Sequence, residues 1–169
     1  MIAFATSCVV LLFVSVFEAT FLSNLFFLPA VPDLSLICVL FFSVHNGKIL
    51  GETTGFVSGL FLDLLSACPL GLNCLLRSVL GYLGGIFYRT LDPEGFFAPF
   101  FLAICATIAK ILLVQFVSFL LPSIVSSYDI ISLRFLCEIG MNAVISPFVF
   151  AFLRIFKNIL VFNSESTTR

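Results

Sequence analysis

Gly51-Glu52-Thr53-Thr54-Gly55-Phe56-Val57-Ser58-Gly59-Leu60-Phe61-Leu62-Asp63 is the stretch whose reading decides the fold class. Its glycines recur every four residues, and Asp63 continues the row. A matching row, Arg77, Gly81, Gly85 and Arg89, follows in the next apolar segment. Small residues at this spacing line one side of a helix and let two membrane helices approach closely, so that backbone packing replaces the hydrophobic drive missing in lipid. Folding the two segments into an antiparallel hairpin about Leu70 sets Asp63 opposite Arg77, Gly59 opposite Gly81, Gly55 opposite Gly85 and Gly51 opposite Arg89. The expected helix-packing seam is therefore Gly51, Gly55, Gly59, Gly81 and Gly85, closed at one end by an acid and a base.

Outward from this hairpin the whole chain is apolar. Hydrophobic residues make up 61% of the 169 and charged residues only 10%, where an ordinary soluble domain carries about one quarter charged residues. Mean hydropathy is +1.23. This composition excludes a water-soluble enzyme and a disordered chain. A net charge of −1 gives no basic face for nucleic acid. What remains is an all-α polytopic membrane protein.

A spanning helix needs roughly 20 apolar residues. Six segments follow: 2–28, the short 34–44, 49–66, 72–88, 96–121 and 134–156, separated by breaks such as Pro29 to Asp33, His45 to Lys48, Pro69-Leu70-Gly71 and Asp92-Pro93. The second reaches a spanning length only with its flanks or in a thinner part of the bilayer; if it is re-entrant, the parity fails. The expected organisation is one six-helix transmembrane domain over 1–162 and a short polar tail over 163–169. Six spans put both termini on one side. That side then holds Lys48, Arg89, Arg154, Lys157 and Arg169, and the other holds Arg77 and Arg134, which favours cytoplasmic termini by the positive-inside rule.

Ionisable groups inside a bilayer are costly and mark candidate sites. Glu18, Asp63, Arg77, Lys110, Arg134 and Glu138 all fall in the outer half of the expected spans and come from five of them. They predict an outer polar cluster or partner site shared between helices. Arg77, Arg134 and Glu138 lie near segment ends, where the alternative is snorkelling to water. Glu18, Asp63 and Lys110 are too deep for that.

The remaining chemistry is sparse. The single histidine, His45, sits in a turn, which removes a Ser–His dyad. Asp63 is the only aspartate within a span, so no aspartyl pair forms, and no phosphate-cradling glycine loop occurs. No zinc spacing links the six cysteines, which read as small apolar residues; only Cys68 and Cys74 flank a loop where a disulfide would form on an oxidising side. No catalytic residue, metal or cofactor is expected.

Pro32-Asp33 opens the short second segment. The Gly51, Gly55, Gly59-Leu60, Asp63-Leu64-Leu65 row follows, then Pro69-Leu70-Gly71-Leu72-Asn73 and Leu80-Gly81-Tyr82-Leu83 with Gly85. This pattern, over about a third of the chain, resembles the rod-shape-determining MreD family of bacteria; Asp63 and Pro69-Leu70-Gly71 are its most specific part. The resemblance implies a non-catalytic component of the cell-elongation machinery in the inner membrane. It implies MreC as partner, RodA and its penicillin-binding transpeptidase as the enzymes whose peptidoglycan synthesis is controlled, and MreB alongside them. It also implies a fold similar to the substrate-binding subunits of energy-coupling-factor transporters. That similarity defines the alternative, a vitamin-type small-molecule-binding subunit.

Overall fold

Six long helices and one short one make up the computed structural model, which describes residues 2–22, 31–66, 68–88, 90, 95–122 and 133–161. Helix α1 (Ile2–Phe17) continues into a π-helical turn, Glu18–Leu22. Then come α2 (Leu34–Asn46), α3 (Lys48–Leu65), α4 (Leu72–Ile86), α5 (Phe97–Leu120), α6 (Leu133–Ile155) and the short α7 (Lys157–Leu160). No strand occurs among the described residues. Three helices are long and apolar enough to cross a membrane by themselves: 4–21, 97–120 and 135–155.

The centre of the fold is α2. Its ten residues from Ser35 to Val44 are all buried. A helix that is apolar all round belongs inside a bundle, and α2 packs against α1, α3, α4, α5 and α6. Phe41 meets Phe42 and Phe150 edge-on, with ring centroids 5.8 and 5.3 Å apart. At 13 residues, α2 is only ~20 Å long, short of the ~30 Å hydrocarbon core. Because other helices shield it from lipid, its length need not match the bilayer.

Neighbouring helices run antiparallel. Glu18 of the π turn meets Ser35 at one end of the bundle. At the other, Thr6 donates to the Ile159 carbonyl and Asn46 to the Leu160 carbonyl. The start of α1 and the final helix α7 therefore lie at the same end, and α2 runs the full return between them. A single residue, Gly47, joins α2 to α3; its φ of 90° lies in the region that favours glycine. The long helices turn large apolar side chains outward, among them Phe13, Phe101, Phe119 and Phe148, as a lipid-facing surface requires.

Helices α3 and α4 touch backbone to backbone. A β-carbon added at Gly51 would collide with the Gly81 carbonyl, one at Gly55 with the Arg77 carbonyl, one at Gly59 with the Asn73 carbonyl, and one at Gly85 with the backbone of Lys48. These five glycines share one interface, but in a different register from the symmetric hairpin. Gly51 faces Gly81, not Arg89, and Gly55 faces Arg77, not Gly85. Gly59 faces Asn73, not Gly81. The shift of eight residues is roughly two turns. Its cause is the turn: α3 runs on to Leu65, past the first residue of α4, and the chain doubles back through Pro69-Leu70-Gly71 to start α4 beside Gly59. Arg89 itself lies outside the described residues.

Candidate functional site

A helix of α2's length that starts inside the bundle begins at membrane depth. The partner level on α5 is Lys110, 13 residues after Phe97 and 10 before Leu120. The first backbone N–H groups of any helix lack intrahelical partners, and in lipid water cannot supply them. The chain supplies acceptors from three places. The Asp33 side chain caps α2 by accepting from the Leu36 N–H at 3.0 Å. Glu18 accepts from the Ser35 N–H at 3.1 Å and the Ser35 hydroxyl at 2.6 Å. Asn142 on α6 accepts from the Asp33 N–H at 2.8 Å and donates to the Thr107 hydroxyl at 3.1 Å. The positive end of the helix dipole favours the two carboxylates here.

Those carboxylates in turn need cations. Arg77 on α4 places Nη2 2.5 Å from Asp33 Oδ1, and its Nη1 donates to Ser58 of α3 at 2.9 Å. Lys110 on α5 places Nζ 2.8 Å from Asp33 Oδ2 and 2.9 Å from Glu138 Oε1 on α6. Asp33 is the hub: its carboxylate takes one cation on each oxygen. Its side chain is 6% exposed and that of Arg77 5%, whereas Lys110 keeps 25%. Every long helix contributes: Glu18 extends α1, Asp33 and Ser35 begin α2, Ser58 is on α3, Arg77 on α4, Lys110 and Thr107 on α5, Glu138 and Asn142 on α6.

The structure thus brings together Glu18, Arg77, Lys110 and Glu138, but not Asp63. The expected Asp63–Arg77 pair is corrected: Arg77 binds Asp33 instead. Asp63 accepts from the N–H groups of Gly71, Asn73 and Cys74 at 2.9, 3.1 and 3.3 Å, and from the Asn73 amide at 2.9 Å. It caps α4 from the neighbouring helix, because α3 overshoots and carries Asp63 over the first turn of α4. Arg77 and Glu138 do not snorkel; both are buried in ion pairs. The Arg134 side chain lies outside the described residues. Cys68 is exposed, Cys74 is buried, and both are free thiols.

Pro32 and Asp33 enter the sequence reading only as a motif, and the hub role of Asp33 is missed there, as are Ser35, Ser58, Thr107 and Asn142. The available signal was an aspartate immediately before an apolar segment too short to span. The other family-motif residues serve the hairpin. Gly71 has a φ of 94°, Leu72 N–H returns to the Pro69 carbonyl at 3.2 Å, and Leu70 is exposed at the tip. Tyr82 lies under the Lys48 ammonium, 5.9 Å from the ring centroid. No group of three or more metal-ligating side chains converges among the described residues.

A buried short helix whose head is tied by ion pairs and hydrogen bonds into a network with the five other long helices defines a polytopic α-helical membrane protein with an internal charge lock. The family model for rod shape-determining protein MreD matches residues 1–156, and the chain belongs to that family. It is accordingly a rod-shape-determining membrane protein. No curated protein and no solved structure matches the chain.

Proposed function

We propose that this chain is a non-catalytic, multi-pass scaffold of the bacterial inner membrane that binds MreC. Through MreC it helps control peptidoglycan synthesis by RodA and its penicillin-binding transpeptidase, alongside MreB. The observation that carries this reading is the family match over 1–156. The network fits a scaffold role: its polar groups are taken up by one another and fix six helices at once, as a rigid docking platform requires. The transmembrane domain spans residues 1–162; the polar tail over 163–169 lies outside the described residues. The termini are cytoplasmic, supported by the basic residues at their end and by the Thr6–Ile159 contact. The partner-facing surface then lies outward, around Glu18, Lys110 and Glu138.

The vitamin-subunit alternative requires an enclosed chamber with polar walls. Two cavities, of about 520 and 500 Å³, are open and lined mainly by apolar side chains, so no observation favours it. The test is co-purification. Tagged chain extracted in mild detergent from cells producing MreC should retain MreC. Failure of the wild-type chain to retain MreC would overturn the reading.

A further inference from the structure

Other helices shield α2 from lipid, but the α3–α4 hairpin is also short and has no such shield. Its outer face carries Phe56, Leu60, Leu64, Leu75, Leu83 and Ile86, each 40–68% exposed. Asp33 supplies a common level for comparing this hairpin with the long helices. Arg77 of α4 and Lys110 of α5 both bind it, and Ser58 of α3 binds Arg77. Away from the termini, α5 continues from Lys110 to Leu120, roughly 15 Å, whereas α4 begins at Leu72, only roughly 8 Å beyond Arg77. Toward the termini, α5 reaches back to Phe97, roughly 20 Å from Lys110. On α3 the exposed Glu52 stands only roughly 9 Å from Ser58 in that direction, with the exposed Lys48 one turn further.

Burying a charge in hydrocarbon is costly, so an acid on a lipid-facing surface marks the headgroup level. The apolar band of the hairpin, from Glu52 to the end of α3 at Leu65, is therefore roughly 20 Å tall. Between the exposed Phe97 and Phe119, α5 offers roughly 33 Å. The hydrocarbon core is ~30 Å thick. Tilt brings α5 to that height, whereas tilt only lowers the hairpin further. The side chains on this face choose lipid over a partner helix. Membrane helices pack on each other through small residues, and the glycines within α3 and α4 are all used against each other's backbone or against α2. What points outward is large and apolar. A surface shorter than the hydrocarbon core is accommodated by local thinning of the bilayer.

We infer that the α3–α4 face is an interaction surface for a thinned bilayer: the membrane narrows beside the hairpin and keeps its ordinary depth beside α5, so that the protein gathers short-chain phospholipid on one side only.

The chain contains no tryptophan, so a single introduced one reports its own surroundings. Leu75 and Leu112 are both exposed and lie at matching depths, two residues beyond Arg77 and Lys110 respectively in the direction away from the termini. Purified Leu75→Trp and Leu112→Trp are reconstituted in mixtures of a brominated short-chain phosphatidylcholine with an unbrominated long-chain one, and in the reverse mixtures. Quenching then gives the relative affinity of the two lipids at each site. Short-chain lipid should be favoured at Leu75→Trp by about twofold or more relative to Leu112→Trp. Equal preference at the two sites, a preference for long chains at Leu75→Trp, or no quenching there would overturn the inference. Phe56→Trp repeats the measurement on α3, in the other leaflet, and should show the same short-chain preference; a match to Leu112→Trp would overturn it even if Leu75→Trp failed to fold. In native membranes, Leu75→p-benzoylphenylalanine should photo-cross-link to lipid, giving a small mass increment. Cross-linking to a protein chain would place a partner or a second copy on this face and overturn it.

Discussion

Replacing Asp33 tests the charge lock most directly. Asp33→Ala removes the carboxylate that holds Arg77 and half of the Lys110 contacts, and also the side-chain cap of α2. Breaking a buried ion pair from one side costs about 3–5 kcal/mol, because the partner is left charged and unpaired. Loss of an N-cap adds about 1 kcal/mol. Lys110 is spared in part, since Glu138 still binds it. The loss of about 4–6 kcal/mol is a large share of the ~5–15 kcal/mol that holds a typical domain folded. At ~2–4 °C per kcal/mol for a chain of this size, the unfolding midpoint should fall by at least ~8 °C, and accumulation in the membrane should drop. Asp33→Asn keeps an acceptor for the Leu36 N–H and should be milder by about the cap term of ~1 kcal/mol. The double variant Asp33→Asn with Arg77→Met removes both charges together, and should be less destabilised than the sum of its parts by ~1–3 kcal/mol. Thermal unfolding in one detergent of wild type, Asp33→Asn, Arg77→Met and the double variant reads the cycle, with Asp33→Ala measured alongside. An Asp33→Ala midpoint within ~2 °C of wild type, or strict additivity in the cycle, would refute the assignment of Asp33 as hub.

The α3–α4 seam should be intolerant of a single methyl group: Gly55→Ala should lower the unfolding midpoint, whereas Gly140→Ala, where a β-carbon meets nothing within 4 Å, should leave it unchanged or raise it, by up to ~1 kcal/mol of helix propensity. Asp63→Ala should fray the start of α4 without stranding a cation, seen as faster hydrogen exchange at Asn73 and Cys74; the charge exchange Asp63→Arg with Arg77→Asp should restore neither protein level nor rod shape, and rescue by it would reinstate the symmetric register. An impermeant maleimide applied to intact cells, with the outer membrane permeabilised, should label Cys68 and leave Cys74 untouched. Labelling of Cys68 only after disruption of the inner membrane would invert the topology.

How much of the molecule was legible in the sequence depends on whether a property is local. Hydropathy over windows of twenty residues is a sum over neighbours in the chain, so the helices, the polar breaks and the membrane class were open to reading. The glycine rows likewise named the helix pair, since a four-residue period places small groups on one face whatever the partner is. Glu18, Arg77, Lys110 and Glu138 stood out because a charge in an apolar run is conspicuous by itself. Their pairing was not local. Gly51 can pack on Gly81 or on the residue two turns later equally well by pattern, and the choice was made by a turn that lets α3 overshoot and brings Asp63 onto the amides of α4. That same overshoot withdrew Asp63 from Arg77. Asp33 became the hub because α2 is too short to cross the bilayer and starts at depth, where its unpaired N–H groups and their acceptors had to be matched from four other helices at once. An electrostatic partner is set by distance in space, and only the packed bundle supplies that distance.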